Sequence, residues 1–394
     1  MMERPIYLDY QATTPTDPRV VEAMLPYFTE KFGNAGSATH AFGHEAEAAV
    51  EEARARLAAL IGSEAREIIF TSGATEANNL AIKGAAHFHR EHGRDHIVTV
   101  ATEHKCVLEA TKSLGRDGFR ITFLGVDGNG MVDPDLVRRA IDERTAIVSV
   151  MAANNEIGVI EPLAEIAAAC RAAGALLHTD AAQAVGKISF DVNQLNVDLA
   201  SISGHKMYGP KGIGALYVRR RPRARIAPLF DGGGQERGMR SGTLPTPLCV
   251  GIGAAAAIAE AEMADEAVRL LRLRERFLAR IAALVPGVLV NGDRERRLPG
   301  NLNLSFPDVN ATDLMLACPG VAVSSGSACS SAELEPSYVL RALGFSDERA
   351  AASIRIGIGR MSNAAEIDRA AELLATAWRE ARLAQGEKSR ALPI

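Results

Sequence analysis

The sequence is poor in aromatic residues and in cysteine, and each shortage excludes a class of protein. Aromatic residues make up 5% of the 394 residues, and there is one tryptophan. Because strands of β-sandwiches favour aromatic and β-branched side chains, this composition argues against an all-β fold. The five cysteines are widely spaced and include no C-x-x-C pair. A disulfide framework or a zinc site is therefore not expected. The cysteine content instead fits a protein of the reducing cytoplasm.

Long apolar runs and broad basic regions are also missing. No uninterrupted run of eighteen apolar residues occurs, and the first fifteen residues contain no apolar core of a signal peptide. We therefore predict no membrane span and no secretion signal. The net charge is −4, and the one basic run, Arg219–Arg225, follows an apolar stretch. This run is interpreted as a solvated strand end, because nucleic-acid sites are usually wider basic faces.

Between residues 66 and 218, short apolar runs alternate with longer helical patterns. Seven runs are predicted to be strands: Ile68–Phe70, Ile97–Ala101, Ile121–Leu124, Ala146–Met151, Ala175–His178, Leu199–Ile202 and Ile213–Val218. These runs are continuously apolar, as expected of strands whose two faces are both covered by helices. The order of strands and helices predicts an α/β fold with a mostly parallel sheet.

The length of the chain and its later patterns indicate a second domain. A single core rarely grows to 394 residues. Residues 254–283 form an alanine-rich helical pattern, which is predicted to link the two domains. Asn301–Phe306 alternates like a half-exposed strand, Ser353–Ile358 is predicted to be another strand, and residues 363–382 a closing amphipathic helix. Residues 386–394 are expected to be loose.

Polar residues stand after several predicted strands, where ligands of open α/β sheets bind. The turn Ser72–Thr75 opens a helix, so it is either a phosphate site or a plain helix cap. Asp180 ends a buried run and is either a cap or a partner for a pyridinium nitrogen. Lys206 is either a snorkelling lysine or an imine-forming amine. The turn Ser72–Thr75, Asp180 and Lys206 together predict a functional site more specifically than any one of them does.

Seven motifs, taken together, resemble one enzyme family. They are L-D-Y-Q-A-T-T-P at 8–15, T-S-G-A-T-E at 71–76, N-N-E-I-G at 154–158, H-T-D-A-A-Q at 178–183, S-I-S-G-H-K at 201–206, R-S-G-T at 240–243 and S-S-G-S-A-C at 324–329. The set is similar to that of the cysteine desulfurases of the NifS/IscS type, within the class V aminotransferase superfamily. The similarity extends from about Ile6 to about Leu374.

The resemblance implies a fold and a cofactor. The fold would be fold-type I of the pyridoxal-phosphate (PLP) enzymes, with a seven-stranded large domain at 16–260. A smaller α+β domain would comprise 1–15 and 261–394 and carry the persulfide cysteine loop. Lys206 would hold PLP as a Schiff base, and the other implied cofactor contacts are Ala74, Thr75, His104, Asn155, Asp180, Gln183, Ser203, His205 and Thr243. Thr243 would reach the phosphate of the partner subunit in a homodimer.

The resemblance also implies a reaction. Asn155 and Arg355 would bind the substrate carboxylate, and His104 would stack on the cofactor and relay protons. Cys329 would take sulfur from L-cysteine as a persulfide, leaving L-alanine, and would pass it to an acceptor such as an iron–sulfur scaffold protein. No resident metal is expected, although Cys329 could be a transient ligand of an iron–sulfur cluster. The alternatives within the superfamily are a selenocysteine lyase or another class V PLP enzyme. Cys106, two residues after His104, is given no role.

Overall fold

The computed structural model describes residues 4–325 and 336–391, and the side chains of its last helix as far as residue 384. The strands in these ranges are β1 Ile6–Tyr7, β2 Ile68–Thr71, β3 His96–Val100, β4 Arg120–Leu124, β5 Thr145–Ser149, β6 Leu176–Asp180, β7 Leu199–Ser203, β8 Gly214–Val218, β9 Leu289–Val290, β10 Asn301–Ser305, β11 Val321–Ala322, β12 Ser324–Ser325 and β13 Ser353–Gly357. The α-helices are α1 Pro18–Met24, α2 Pro26–Thr29, α3 Ala41–Leu60, α4 Ala74–Arg90, α5 Lys105–Arg116, α6 Pro134–Ala140, α7 Leu163–Ala173, α8 Thr246–Leu284, α9 Ala311–Ala317, α10 Tyr338–Ala342, α11 Asp347–Ala351 and α12 Ala364–Ala391.

The larger sheet has seven strands in the order β2-β8-β7-β6-β5-β3-β4. Strand β8 runs antiparallel to both of its neighbours, and the other pairs are parallel. All seven predicted strands are present, with ends shifted by at most two residues. The predicted α/β class with a mostly parallel sheet is confirmed.

Helices cover both faces of this sheet, which explains why its strands are mostly apolar rather than alternating. Ile97 and Ile147 pack in one core with residues of α4 and α5. The next residues along the same two strands, Val98 and Val148, pack in a second core with α3, α7 and α8. Because successive side chains of a strand point to opposite faces, both faces must be apolar.

Helix α8 joins the core of the large sheet to a second core. Its first part, including Cys249 and Ile252, belongs to the core under the large sheet. Its last turns, including Phe277 and Ile281, belong to the second. At Gly253 a Cβ atom would lie 2.5 Å from the Cα of Ala53, so only glycine allows α3 and α8 to approach this closely. By length and composition alone α8 could span a membrane, but its buried side chains pack in these two cores.

The second core is built on a four-stranded antiparallel sheet of order β12-β13-β10-β9 and on a two-stranded parallel pair, β1-β11. Leu302 and Leu304 of β10 and Ile354 and Ile356 of β13 pack against the last turns of α8 and against α12. The N-terminal strand β1 thus pairs with a strand more than 300 residues later in the chain. The division of the chain into 16–260 and 1–15 with 261–394 stays a prediction.

Two local expectations from the sequence are wrong. All five residues of β10 are buried, whereas the alternating pattern predicted a half-exposed strand. The polar side of β10 does not meet water, because Asn303 and Ser305 form hydrogen bonds of 2.8 Å with Asn291. Residues 386–394 were expected to be loose, but the backbone of residues 386–391 continues helix α12; residues 392–394 lie outside the described residues.

Candidate active site

The carboxyl ends of β2, β5, β6 and β7 open onto one pocket of about 440 Å³. Pockets for small molecules usually have volumes of roughly 300–1,000 Å³. The pocket is lined by Gln11, Ala12, Ser72, Gly73, Ala74, Thr75, Glu76, His104, Cys106, Met151, Ala153, Asn155, Asp180, Ala182, Gln183, Ser203, His205, Lys206, Lys211, Gly212 and Arg355. Ten of the twelve predicted site residues are in this set. The other two predicted site residues are Thr243 and Cys329.

Lys206 follows β7 at the end of a short 3₁₀ turn, Gly204–Lys206. Its Nζ donates hydrogen bonds to the carbonyl oxygens of Gln11, at 2.6 Å, and Ala12, at 2.7 Å. The amine therefore lies inside the pocket rather than extending to solvent as a snorkelling lysine does. Its position is determined by the backbone of the N-terminal L-D-Y-Q-A motif, which is nearly 200 residues away in the chain.

Asp180 is the last residue of β6, and its side chain is almost fully buried. One carboxylate oxygen accepts a hydrogen bond of 3.0 Å from the backbone nitrogen of Ala182, so the capping alternative is met. The other oxygen accepts one of 2.7 Å from the side-chain amide of Asn78, on α4. The carboxylate nevertheless lines the pocket. Capping and a role in the pocket are therefore compatible.

A hydrogen-bonded chain connects Asp180 to His104. The Asn78 amide that contacts Asp180 also lies 3.1 Å from the Sγ of Cys106. This sulfur lies 3.0 Å from the Nδ1 of His104, and the backbone nitrogen of Cys106 donates to the same Nδ1 at 3.3 Å. Nδ1 is therefore an acceptor, and a neutral His104 carries its proton on Nε2. His104, Cys106 and Asp180 are close enough to hold a metal ion, but the Asn78 hydrogen bonds already account for their arrangement.

The part of the pocket at the N-terminus of α4 is suited to an anion. Gly73 caps this helix with a φ of +151°, and a Cβ atom there would contact nothing within 4 Å. Backbone N–H groups at a helix N-terminus attract anions. His205 borders the same pocket and is fixed by a contact of 3.0 Å between its Nδ1 and the hydroxyl of Thr13. Burial, with smaller effects from Lys206, Lys211 and Lys187, lowers the pKa of His205 to about 4, so it is neutral at pH 7.

Arg355 lies on β13 of the smaller sheet and points into the pocket. Its Nη2 forms an ion pair of 2.8 Å with Asp9, and its Nη1 donates to the carbonyl oxygen of Asn155 at 3.0 Å. Within the described residues, the Nε of Arg355 and the Oδ1 of Asn155 are buried without a hydrogen-bond partner. Buried polar atoms are rarely left unpaired, so a bound molecule is expected to complete them.

Two predicted site residues are not brought into the pocket by the described structure. Thr243 is exposed, in a loop held by an ion pair of 2.8 Å between Arg240 and Glu76. Cys329 lies outside the described residues. After that gap the chain resumes at residue 336, and the hydroxyl of Ser337 donates to the buried carboxyl of Glu156. Burial raises the pKa of Glu156 to about 7.

Reasoning from the sequence missed several residues of the site. Asn78 and Asp9 contact predicted site residues directly. Asp9 belongs to the motif at 8–15 but was given no role, and no motif included Asn78. Cys106 was noticed but was given no role, although it lines the pocket. Its position two residues after His104, at the start of α5, is a signal that could have been used, because the first turn of that helix faces the same strand ends.

The fold and this pocket define an α/β enzyme in which a lysine amine and a buried carboxylate share one small-molecule site. The family model described as aminotransferase class-V matches residues 6–370, and the chain belongs to this family, whose members depend on PLP. A cysteine desulfurase IscS of Rickettsia bellii is 59% identical over 370 residues, which cover 94% of this chain and 90% of the relative.

Solved structures agree with this assignment. A NifS-like protein matches with a TM-score of 0.88 at 36% identity, over 95% of this chain and 100% of the other. DndA from Streptomyces lividans matches with a TM-score of 0.76 at 44% identity, over 88% and 97% of the two chains. The family predicted from the seven motifs is confirmed.

Proposed function

We propose that this chain is a cysteine desulfurase, which converts L-cysteine to L-alanine and transfers the sulfur to Cys329. The observation that carries the proposal is that Lys206 and Arg355 line one pocket. An amino acid could place its carboxylate at Arg355 while its amine meets the group held by Lys206. Relatives that are named cysteine desulfurase cover nearly the whole chain and support the same activity.

The residues of the pocket fit PLP. The cofactor needs an amine for its aldehyde, a carboxylate for its protonated ring nitrogen and donors for its ring oxygen and phosphate. Lys206, Asp180 and Gln183 are the candidates for the first three. The N-terminus of α4, with Ala74, Thr75, Ser203 and His205, would hold the phosphate. When bound, PLP acts as an electron sink for the α-carbon of the substrate.

The side chains around the cofactor would divide the remaining work. Asn78 fixes the carboxylate of Asp180, which would therefore meet the ring nitrogen without reorganising. His104, with Nδ1 occupied by Cys106, would stack on the ring and present Nε2 for proton transfer. Arg355 and Asn155 would bind the substrate carboxylate, Arg355 through charge-assisted hydrogen bonds. The geometry and the types of these side chains support these roles.

Cys329 would be the sulfur acceptor. The net reaction is L-cysteine plus the Cys329 thiol giving L-alanine plus the Cys329 persulfide, in which one C–S bond breaks and one S–S bond forms. Only the thiolate of a cysteine is a competent nucleophile. The persulfide sulfur would then pass to an acceptor protein, of which an iron–sulfur scaffold is the simplest, and Cys329 would be a transient ligand of the cluster.

A homodimer would complete the site. Phe28, Phe32 and Phe42 are each more than half exposed, and the rings of Phe32 and Phe42 stack at 5.4 Å. Exposed apolar clusters of this kind often mark protein interfaces. The exposed loop of Thr243 could reach the phosphate of the partner subunit. We place the enzyme in the cytoplasm, where its described cysteines, all free, would stay reduced, with no nucleic-acid or membrane partner.

Product analysis tests this function. The PLP-loaded enzyme is incubated with L-cysteine, with and without a thiol reductant, and alanine and sulfide are measured. Stoichiometric alanine is expected without reductant and continued turnover with it. Release of a keto acid would instead indicate an aminotransferase, and turnover of selenocysteine alone would indicate a selenocysteine lyase.

The site of the sulfur is tested by mass spectrometry after brief exposure to L-cysteine without reductant. An adduct of one sulfur atom should map to the peptide that contains Cys329. Cys329→Ala should bind PLP normally but carry no adduct and release no alanine. The matched control is Cys318→Ala, a buried cysteine of the second core, which should behave like the wild type. An adduct on Cys106 would refute the assignment.

A further inference from the structure

Lys187 is a lysine that lies behind the pocket rather than in it. Its Nζ donates a hydrogen bond of 2.7 Å to the side-chain Oε1 of Gln183. The two residues are four apart on a helical turn after β6, in which the backbone nitrogens of Val185 and Ile188 bond to carbonyls four residues earlier. That spacing puts both side chains on one face of the turn. Neither the motifs nor the proposed function gives Lys187 a role.

The contact determines which way the Gln183 amide faces. A protonated lysine has only donors, so it can pair with the oxygen of the amide but not with its nitrogen. The Nε2 of Gln183 must therefore point away from Lys187, and it donates at 2.9 Å to the carbonyl oxygen of Gln11. Lys206 donates to the same carbonyl at 2.6 Å. Gln183 thus presents N–H groups, and no acceptor, on the side where Lys206 lies.

We propose that Lys187 is a positioning residue, which fixes the Gln183 amide so that only its N–H donors face the ring oxygen of the cofactor. The inference rests on the proposed binding of PLP. In the reversed orientation the carbonyl of Gln183 would face that oxygen, and two acceptors would oppose each other. With the observed orientation, an N–H donor of Gln183 would stabilise the ring oxygen as an anion.

The surroundings of Lys187 are polar on one side and apolar on the other. Burial is the largest effect on its ammonium group, and together with the charges of Lys206 and Arg355 it lowers the pKa of Lys187 to about 7; Glu266 opposes this shift. Glu266 also pairs with Arg360. Lys187 lines a small cavity of about 20 Å³, together with Tyr10 and Tyr208. The neutral amine formed above that pH also has an acceptor lone pair, but the hydrogen bond of 2.9 Å from the Nε2 of Gln183 to the carbonyl oxygen of Gln11 keeps the same orientation.

The test uses the full-length, PLP-loaded enzyme and the variant Lys187→Met, which removes the donor and the charge but keeps the length of the side chain. The visible absorbance of the bound cofactor is titrated with pH. Without Lys187 the Gln183 amide is free to turn, so the ring oxygen loses the N–H donor of Gln183 and becomes more basic. The transition should therefore move to higher pH, by about one unit for a tenfold change in proton affinity. Lys187→Arg, which keeps a cationic donor, should restore the wild-type titration.

A double-variant cycle separates orientation from a simple effect of charge. Gln183→Leu should shift the titration in the same direction, and adding Lys187→Met to it should change nothing further. Additive shifts would mean that Lys187 acts through space, and would overturn the proposal. Lys83→Met, which changes a half-buried lysine outside the pocket on α4, is the matched control and should titrate like the wild type.

Each remaining outcome is decisive as well. If Lys187→Met does not fold, Lys187→Gln replaces it. The amide of the new glutamine can both donate and accept, so it does not force one orientation on the Gln183 amide. If the wild type binds PLP normally and the Lys187 variant gives the same titration as the wild type, this inference is wrong and the proposed function is unaffected. A wild type that takes up no PLP would overturn the proposed function, and this inference with it.

Discussion

Arg355→Ala is the substitution for which the structure gives the clearest quantitative expectation. In the described structure, two of the three guanidinium nitrogens already have partners, Asp9 at 2.8 Å and the carbonyl of Asn155 at 3.0 Å. The Nε is buried without one in the described part of the chain. A substrate carboxylate would therefore bind at the Nε and share an Nη group. The pre-existing ion pair with Asp9 means that the side chain loses little freedom on binding.

The size of the effect follows from those contacts. A hydrogen bond to a charged group contributes about 1.5–3 kcal/mol, and each 1.4 kcal/mol is about a tenfold change in affinity. The KM for L-cysteine should rise by roughly 10- to 150-fold, while kcat changes less, because the carboxylate does not react. Arg355→Lys should recover only part of the loss, since an ammonium group cannot replace a planar guanidinium that contacts several acceptors.

The assay compares L-cysteine with its methyl ester, which has no negative carboxylate. The wild type should bind the ester more weakly than the acid by the factor that Arg355→Ala loses with the acid. The variant should bind the two molecules equally. Arg360→Ala is the matched control, because Arg360 also forms ion pairs, with Asp17 at 2.8 Å and Glu266 at 2.7 Å, but does not line the pocket. An Arg355→Ala variant that still prefers the acid would refute this role.

Three further predictions concern other parts of the chain. Lys206→Ala should abolish turnover and the visible absorbance of covalently held cofactor; a reducible imine in this variant would place the attachment elsewhere. Cys106→Ala should lower kcat and shift the pH profile, because His104 loses a partner of its Nδ1, whereas Cys106→Ser should restore both; identical profiles for the wild type and both variants would contradict this. Burial lowers the pKa of His178 from 6.5 to about 3. The unfolded chain therefore binds a proton that the folded protein does not, and stability should fall as the pH drops from 6.5 toward 3. His178→Asn should lose less stability over that range in urea unfolding, and an equal loss would count against the argument.

The strands of the large sheet could be predicted because their pattern is local. A run such as Ala146–Met151 is apolar at every position except Ser149, as expected of a short strand whose two faces are both covered. Where each strand stops was less clear. Strand β6 extends to Asp180, two residues beyond the predicted end, because the last pairs of β6 with β7 include a polar residue that the apolar pattern did not count.

The burial of β10 shows where such reasoning fails. An alternating sequence says that one side of a strand is polar, but not what that side touches. Here Asn303 contacts the backbone of Glu156 and the side chain of Asn291, so the polar side is buried against other polar groups. The partners come from distant segments, and a pattern read along one strand cannot include them.

The sequence by itself determined the α/β class, the family and most of the residues in the pocket, because these depend on contiguous apolar runs and contiguous motifs. Only the tertiary structure decided how those residues are held. Asn78 reaches Asp180 across 102 positions, and Asp9 reaches Arg355 across 346. Lys187 gains its relation to the pocket only because Gln183 and Gln11 meet there. Such contacts depend on where the folded backbone brings distant side chains together, and that placement results from the packing of the whole chain rather than from any local stretch of it.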